Sequence, residues 1–324
     1  MIIVTGGAGL IGSNVVWKLN ERGVSDLLIV DHNPNGTKDD NLSPLRYSQY
    51  EDKADFIKPL LEGKYGDGID AIIHLGACSD TTETDKEYLY KNNFEYTRKL
   101  AEFAVENGVR FIYASSAATY GNGENGYSDD ESLIPTYEPL NEYARSKQMF
   151  DLWAIEEGII NKIVGLKYFN IFGPNEGHKG NMRSMVLKAY EQIFATGKVS
   201  LFRSHIADYE DGEQKRDFLY VKDAADMTLY FLDNPQLSGI YNIGSGKAET
   251  WNELIGSLFQ SLDMEPKIEY IDMPDKIRDQ YQYYTKADMT KFSKLNYSKT
   301  AMSLPDSVDD YVQGYLLSGK NIGE

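Results

Sequence analysis

The sequence predicts an α/β chain built on a doubly wound parallel sheet, with a smaller α/β unit to bind a substrate. Three observations predict it. A short apolar run ends in a glycine-rich turn at the start, apolar strands then alternate with helical stretches, and the alternation stops after Gly173-Pro174. The larger unit is accordingly expected over 1–172 with a returning segment near 218–245, and the smaller over 173–217 and 246–324.

The first strand and its turn read Ile2-Ile3-Val4-Thr5-Gly6-Gly7-Ala8-Gly9-Leu10-Ile11-Gly12. A helical pattern follows in Ile11, Val15, Val16 and Leu19, which makes the strand–turn–helix context of a pyrophosphate site. Gly6 serves the tight turn, Gly9 the approach of backbone to pyrophosphate, and Gly12 the close seating of a helix whose N-terminus faces the anion. This is the Rossmann arrangement. The second strand, Leu27-Leu28-Ile29-Val30, ends in Asp31, where a carboxylate is expected to meet the adenosine ribose. By itself Asp31 selects NAD, because it accepts from a free 2′-hydroxyl and repels a 2′-phosphate. Further strands are expected at 70–75, 110–114 and 162–168, and helices at 96–107 and 142–157. Beyond Gly173-Pro174 come a polar loop to Gly180, a helix near 183–196 and an acidic insert at 208–213. The runs 218–221 and 239–244 read as strands returning to the larger unit.

Glu142-Tyr143-Ala144-Arg145-Ser146-Lys147 carries the chemistry. Residues four apart share a helix face, so an ammonium at Lys147 is expected beside the Tyr143 phenol, favouring its ionised form and a role as base. Among 24 tyrosines the spacing alone means little. Its place decides, because it follows both the glycine loop and Ser115-Ser116-Ala117-Ala118-Thr119-Tyr120-Gly121, the order that hydride chemistry requires.

The formal charge of −17 argues against nucleic acid or an anionic membrane as the main partner. No apolar stretch approaches the roughly 20 residues of a membrane span, and Met1 leads straight into the first strand, so a cytoplasmic protein is expected. Cys78 is the only cysteine, which excludes an intrachain disulfide and a cysteine-rich metal site; no metal is expected.

Together with Arg216-Asp217-Phe218-Leu219-Tyr220-Val221-Lys222-Asp223, these segments resemble the extended short-chain dehydrogenases/reductases. Within that group, Gly76-Ala77-Cys78-Ser79-Asp80-Thr81-Thr82-Glu83 and Tyr168-Phe169-Asn170-Ile171-Phe172-Gly173-Pro174-Asn175-Glu176-Gly177-His178-Lys179-Gly180 resemble the ADP-L-glycero-D-manno-heptose 6-epimerases. The resemblance runs nearly end to end, and Glu176-Gly177-His178-Lys179-Gly180 is its most specific part. Two departures stand out: the loop between Phe202 and Arg216 is longer than in some relatives, and Asn181 stands where some carry serine.

The resemblance implies a homo-oligomer, a homopentamer, that inverts C6 of ADP-heptose through a transient ketone with bound NADP, supplying heptose to lipopolysaccharide or another surface glycan. It assigns proton transfer to Tyr143 and Lys179, with Ser116 on the sugar oxygen and Lys147 beside them. Lys38 and Lys53 are placed near the 2′-phosphate of NADP, with NAD the alternative. The other implied cofactor contacts are Leu10, Ile11, His32, Leu75, Gly76, Ala77, Cys78, Ser79, Asn92, Lys147, Ile171 and Lys179. Asn170, Asn181, Lys188, Phe202, Arg203, Ser204, His205, Arg216 and Tyr281 are implied to face the substrate. Spacing alone also allows Lys179 to be an ordinary loop lysine, and gives Arg216 either the diphosphate or a salt bridge to Asp217 or the acidic insert. His178 reads as loop packing.

Three other functions fit parts of the pattern. A sugar-nucleotide 4-epimerase shares the first unit and differs around Glu176–Gly180. A dehydratase places an acidic pair after a Thr in the serine segment, where Ala117-Ala118 stand here. A cofactor-sensing protein needs only the nucleotide site, and intact Ser116, Tyr143 and Lys147 speak against it.

Overall fold

The computed structural model describes residues 1–278 and 281–324. Its strands are β1 (Ile2–Thr5), β2 (Leu27–Asp31), β3 (Gln49–Asp52), β4 (Ala71–His74), β5 (Arg110–Ser116), β6 (Val164–Tyr168), β7 (Asn170–Phe172), β8 (Val199–Phe202), β9 (Lys215–Arg216), β10 (Phe218–Tyr220), β11 (Gly239–Ile243), β12 (Glu249–Thr250) and β13 (Ile268–Ile271). Seven of them form one sheet in the order β3-β2-β1-β4-β5-β6-β11, all parallel. β2, β4, β6 and β11 are buried along their whole length, as strands covered by helices on both faces must be. The strand order reverses between β1 and β4, and a ligand crevice forms outside the C-terminal ends of strands at such a reversal.

At that point the backbone is too close for side chains. Gly6 has φ +68°, and a Cβ on it would lie 2.6 Å from the Gly76 nitrogen; one on Gly12 would lie 2.1 Å from the Gly6 oxygen. The turn after β1, the helix Leu10–Glu21 and the loop after β4 therefore pack directly against one another.

His74 braces this junction from below. Its Nε2 lies 2.8 Å from Thr97 Oγ1, whose hydroxyl already donates to the Asn93 carbonyl at 2.6 Å, so Nε2 must carry the proton. Nδ1 is then the acceptor for Thr5 Oγ1 at 2.5 Å, and Thr5 in turn accepts from the Gly76 nitrogen at 3.3 Å. The ring is satisfied as a neutral donor and acceptor, and burial lowers its pKa to about 3. Between the usual value near 6.5 and about 3, only the unfolded chain binds this proton. The contribution to stability is therefore full above about pH 6.5 and is lost as pH falls, at roughly 1.4 kcal/mol per pH unit. His74→Gln should lack that slope. Urea unfolding of both proteins at about pH 7 and about pH 5 checks it; the same loss of stability in each would assign acid sensitivity elsewhere.

The smaller lobe packs the helices Met185–Thr196, Trp251–Ser261 and Leu304–Tyr311 around Val186, Ile193, Leu254, Leu258 and Val308. β8 and β13 pair in parallel over it. Of the two runs expected to return to the larger unit, β11 joins the large sheet beside β6. β10 pairs with β7 in a separate two-stranded ladder at the lobe boundary. The short step Phe169, between β6 and β7, moves the chain off the sheet and sets Asn170 against the segment that follows Arg216. No helix among the described residues is long and apolar enough to cross a membrane.

Candidate active site

A cleft of about 810 Å³ opens at the β1/β4 reversal and runs between the lobes, a volume in the range of ligand sites. At one end lie Gly6, Gly9, Leu10, Ile11 and Gly12. The helix that starts here is capped by Gly9, with no side-chain cap and no acidic residue in its first turn. Its free N–H groups and positive end suit a pyrophosphate, so the glycine cradle and bare helix start fit a dinucleotide.

Asp31 and Lys38 also line the cleft, and they are joined. Asp31 Oδ1 accepts from Lys38 Nζ at 2.6 Å, and its Oδ2 accepts from the Ala8 nitrogen at 2.9 Å. Three neighbours assigned to the cofactor stand off the cleft wall: His32 pairs with Asp52 at 2.9 Å, and Lys53 donates to Asn92 Oδ1 at 2.7 Å. Leu75, Gly76, Ala77, Cys78, Ser79 and Ile171 are on the wall.

Midway along, the helix Glu142–Glu156, capped by Asn141 on the Ala144 nitrogen, brings Tyr143 and Lys147 to the end of β5, where Ser116 sits. The expected contact between ammonium and phenol is replaced by another. Lys147 Nζ donates to the Ala114 carbonyl at 2.9 Å. Burial raises the Tyr143 pKa above its usual value, and the hydrogen bond with Ser116 offsets this only in part. The phenol is thus held as an acid at neutral pH, because a low-dielectric site penalises the phenolate and the nearby ammonium is spent on a backbone carbonyl. Lys147 itself is lowered to about 8 by burial, against the pull of Asp151.

Across the lobe boundary, the single turns of Gly177–Met182 carry Lys179 into the cleft. Their position is fixed by amides. Asn41 Nδ2 lies 2.8 Å from the Ala8 carbonyl, 3.1 Å from the Asn175 carbonyl and 3.1 Å from His178 Nδ1, while Asn175 Nδ2 donates to Ser13 Oγ at 3.0 Å. The loop is tied in this way to the glycine turn and the helix behind it. Burial lowers the Lys179 pKa and Lys188 lowers it further, with only Glu176 opposing them. Glu176 is itself engaged by the Ser184 hydroxyl at 2.6 Å. Lys179 makes no ion pair among the described residues, so nothing but Glu176 offsets the effect of burial on its ammonium. His178, lowered to about 4 chiefly by burial, is neutral at pH 7.

Asn170 and Lys188 line the far end of the cleft. Behind it stand the remaining substrate candidates. Arg216 is only 7% exposed and has no carboxylate partner among the described residues. Its guanidinium donates to the Lys215 carbonyl at 2.9 Å and to the Gln282 carbonyl, between the rings of Trp251 and Tyr281 at 5.6 and 5.3 Å. The alternative salt bridge to Asp217 does not form, because that carboxylate already accepts from the nitrogens of Ser245, Gly246 and Ala287. Phe202 packs edge-on to Tyr281. Arg203 pairs with Asp272 at 3.3 Å, the Ser204 nitrogen donates to Asp211 at 2.8 Å, and the His205 nitrogen donates to the Tyr283 hydroxyl at 3.0 Å. These residues, with the exposed Asn181, lie outside the cleft wall.

Several wall residues were not expected: Thr81, Met182, Arg183, Trp251, Gln282 and Thr285. Arg183 had a sequence signal in its guanidinium, five residues past His178 on the same loop. Gln282 and Thr285 flank the tyrosine cluster that supplied Tyr281, and Thr285 lies 3.3 Å from Asn170 Nδ2. No group of three or more His, Cys, Asp or Glu residues that could hold a metal occurs among the described residues.

Comparisons with known proteins place the chain in a family. The model of the NAD dependent epimerase/dehydratase family matches residues 2–244. ADP-L-glycero-D-manno-heptose-6-epimerase of Nitratidesulfovibrio vulgaris (strain DP4) is 49% identical over 98% of both chains. The crystal structure of the Helicobacter pylori protein of that name superposes with a TM-score of 0.78, at 29% identity over 97% of this chain and 95% of that one. A UDP-N-acetylglucosamine 4-epimerase from Methanobrevibacter ruminantium M1 superposes with a TM-score of 0.81 over 98% of each chain, but at 22% identity it shares the fold alone.

Proposed function

Because the chain belongs to the NAD dependent epimerase/dehydratase family, and within it to the ADP-L-glycero-D-manno-heptose-6-epimerases, we propose that it interconverts ADP-D-glycero-β-D-manno-heptose and ADP-L-glycero-β-D-manno-heptose at C6, for lipopolysaccharide or another surface glycan. One observation carries the reading. A phenol held as an acid and an amine pushed toward its neutral form line the same cleft, which also has the glycine cradle of a dinucleotide. Environments that push two pKa values in different senses divide the acid and base roles.

A nicotinamide held by the glycine turn would supply the hydride acceptor and donor that oxidation and reduction at C6 need. Lys179 takes the proton of the 6-hydroxyl as C6 becomes a ketone. Ser116 donates to the ketone oxygen and keeps it in place. Tyr143 gives its proton to that oxygen as C6 is reduced, and in the reverse direction the two roles exchange. The proton left on Lys179 then returns to Tyr143 through solvent, so the cycle closes with no net redox. Incubation with ADP-D-glycero-β-D-manno-heptose, followed by NMR of C6, tests the function. Inversion of that sugar is expected; turnover of UDP-sugars at C4 instead would make this a 4-epimerase, and binding without turnover would make it a sensor.

The glycine turn would hold the pyrophosphate, and Asp31 with Lys38 the adenosine ribose. The Lys38 ammonium on Asp31 offsets the repulsion that a carboxylate exerts on a 2′-phosphate, which favours NADP over NAD. Replacing Lys38 and Lys53 by Ala should weaken NADP by about 100-fold, two charge-assisted contacts, while NAD changes little. Dissociation constants of both cofactors on stripped protein decide this, and equal losses would remove the two lysines from 2′-phosphate recognition.

Arg216 is a buried cation with no carboxylate partner among the described residues, and the substrate diphosphate would complete it. Arg216→Ala should raise KM by about 100-fold, within the usual cost of truncating a buried charge pair, with cofactor content unchanged. Loss of cofactor or of folding would make Arg216 a scaffold residue.

A further inference from the structure

The face of the helix Glu142–Glu156 that carries Tyr143 and Lys147 continues one turn further, to Asp151. Asp151 is completely buried. Its Oδ2 accepts from Lys167 Nζ at 2.6 Å and from Ser115 Oγ at 2.7 Å, and its Oδ1 from the Tyr113 hydroxyl at 2.9 Å. Lys167, on β6, is as fully buried, and its Nζ also donates to Thr119 Oγ1 at 2.7 Å. Thr119 donates onward to the Ser116 carbonyl at 2.8 Å. One buried ion pair therefore grips the helix that holds Tyr143 and Lys147 and both sides of Ser116. The mechanism above uses neither of its members. Replacing such a pair by well-packed hydrophobic groups is often neutral or stabilising, so packing alone does not call for charge here.

We propose that Asp151 is a positioning residue that acts through Lys147, keeping that ammonium charged and aimed at the Ala114 carbonyl, while its pair with Lys167 locks the strand end that presents Ser116. The groups around Lys147 leave this work to Asp151. His74 on β4 is neutral by its hydrogen bonds, the Tyr143 phenol and the Cys78 thiol are both raised by burial and stay protonated, and Lys167 has the same sign as Lys147. Asp151 is the group that most strongly opposes the effect of burial on Lys147. The inference builds on the proposed function only in giving Lys147 a part in it.

The test reads Lys147 directly and requires no substrate. The intact protein is labelled with acetic anhydride from about pH 6 to about pH 10, and modification of Lys147 is followed by peptide mass spectrometry. Asp151→Asn leaves Lys167 buried without a counter-charge and is expected to fold poorly. The double variant Asp151→Asn/Lys167→Gln removes both charges and keeps groups that can hydrogen-bond. In it, the half-point of Lys147 labelling should move toward acid by about one pH unit, and kcat above about pH 8 should fall by up to about ten-fold. Asp151→Glu should keep the wild-type half-point. A folded double variant that labels as wild type would overturn the proposal, and so would a double variant that no longer folds, since the pair would then be scaffold.

Discussion

Tyr143→Phe should leave a folded protein that binds cofactor and ADP-heptose as before while kcat falls by roughly 10²- to 10⁴-fold, the usual cost of removing a positioned proton-transfer group. The ring stays and only the hydroxyl goes. Packing around the phenol is therefore preserved, and the loss is confined to the proton that must reach the sugar oxygen when C6 is reduced. The Ser116 hydroxyl, which bonds to this phenol, remains to hold the ketone. Steady-state rates in both directions, with bound dinucleotide measured on the same sample, separate the outcomes. A rise in KM or a loss of cofactor content with kcat retained would move Tyr143 from the chemistry to the binding surface.

Lys179→Met should abolish epimerisation to a similar degree, about 10²-fold or more, because inversion needs a group on each side of the ketone. Methionine keeps the length and apolar stem of lysine and removes the amine, so the turns of Gly177–Met182 should stay seated by Asn41 and Asn175. The partial reactions tell the roles apart. With a 6-aldehyde analogue, which gives or takes hydride without inversion, one proton-transfer group suffices. Each single variant should retain some dismutation, and the Tyr143→Phe/Lys179→Met double variant should have none. Near wild-type epimerisation by Lys179→Met would demote Lys179 to a binding residue and leave inversion to a proton shuttled by solvent.

Local sequence made the dinucleotide half of the molecule legible. Apolar runs mark β1, β2, β4 and β5, and β6 reads through despite Lys167; the glycine spacing marks the turn that the backbone can make only without side chains. β3 escaped because Gln49-Tyr50-Glu51-Asp52 is a partly exposed edge with no apolar alternation, defined by its register on β2. The sequence marks β10 as a strand but not its pairing with β7, because pairing partners are not written in a strand's own residues.

The site divides in the same way. Tyr143, Lys147 and Ser116 lie on elements whose spacing sets their faces, and the cleft brings them together. The charge states did not follow from spacing. Four residues of separation put Lys147 on the phenol's face, but burial and the Ala114 carbonyl decide what each group does there. Lys179 and Arg216 show the other limit. A half-buried amine without an ion pair and a buried guanidinium without a carboxylate, among the described residues, become visible only when the lobes enclose them. Asp151 was likewise invisible as a functional residue, because its partners come from β5 and β6.

Substrate carrying deuterium at C6 offers the most direct test of the central claim, that C6 is inverted by oxidation in place and return of the same hydride. ADP-D-glycero-β-D-manno-heptose labelled in this way should be converted in ordinary water to the L-glycero epimer with the deuterium still on C6, at a rate slowed by the heavier isotope, and with no dinucleotide released. An inverted product that has lost its deuterium to solvent would contradict the account, because the carbon would then have been inverted by proton exchange and not by hydride return.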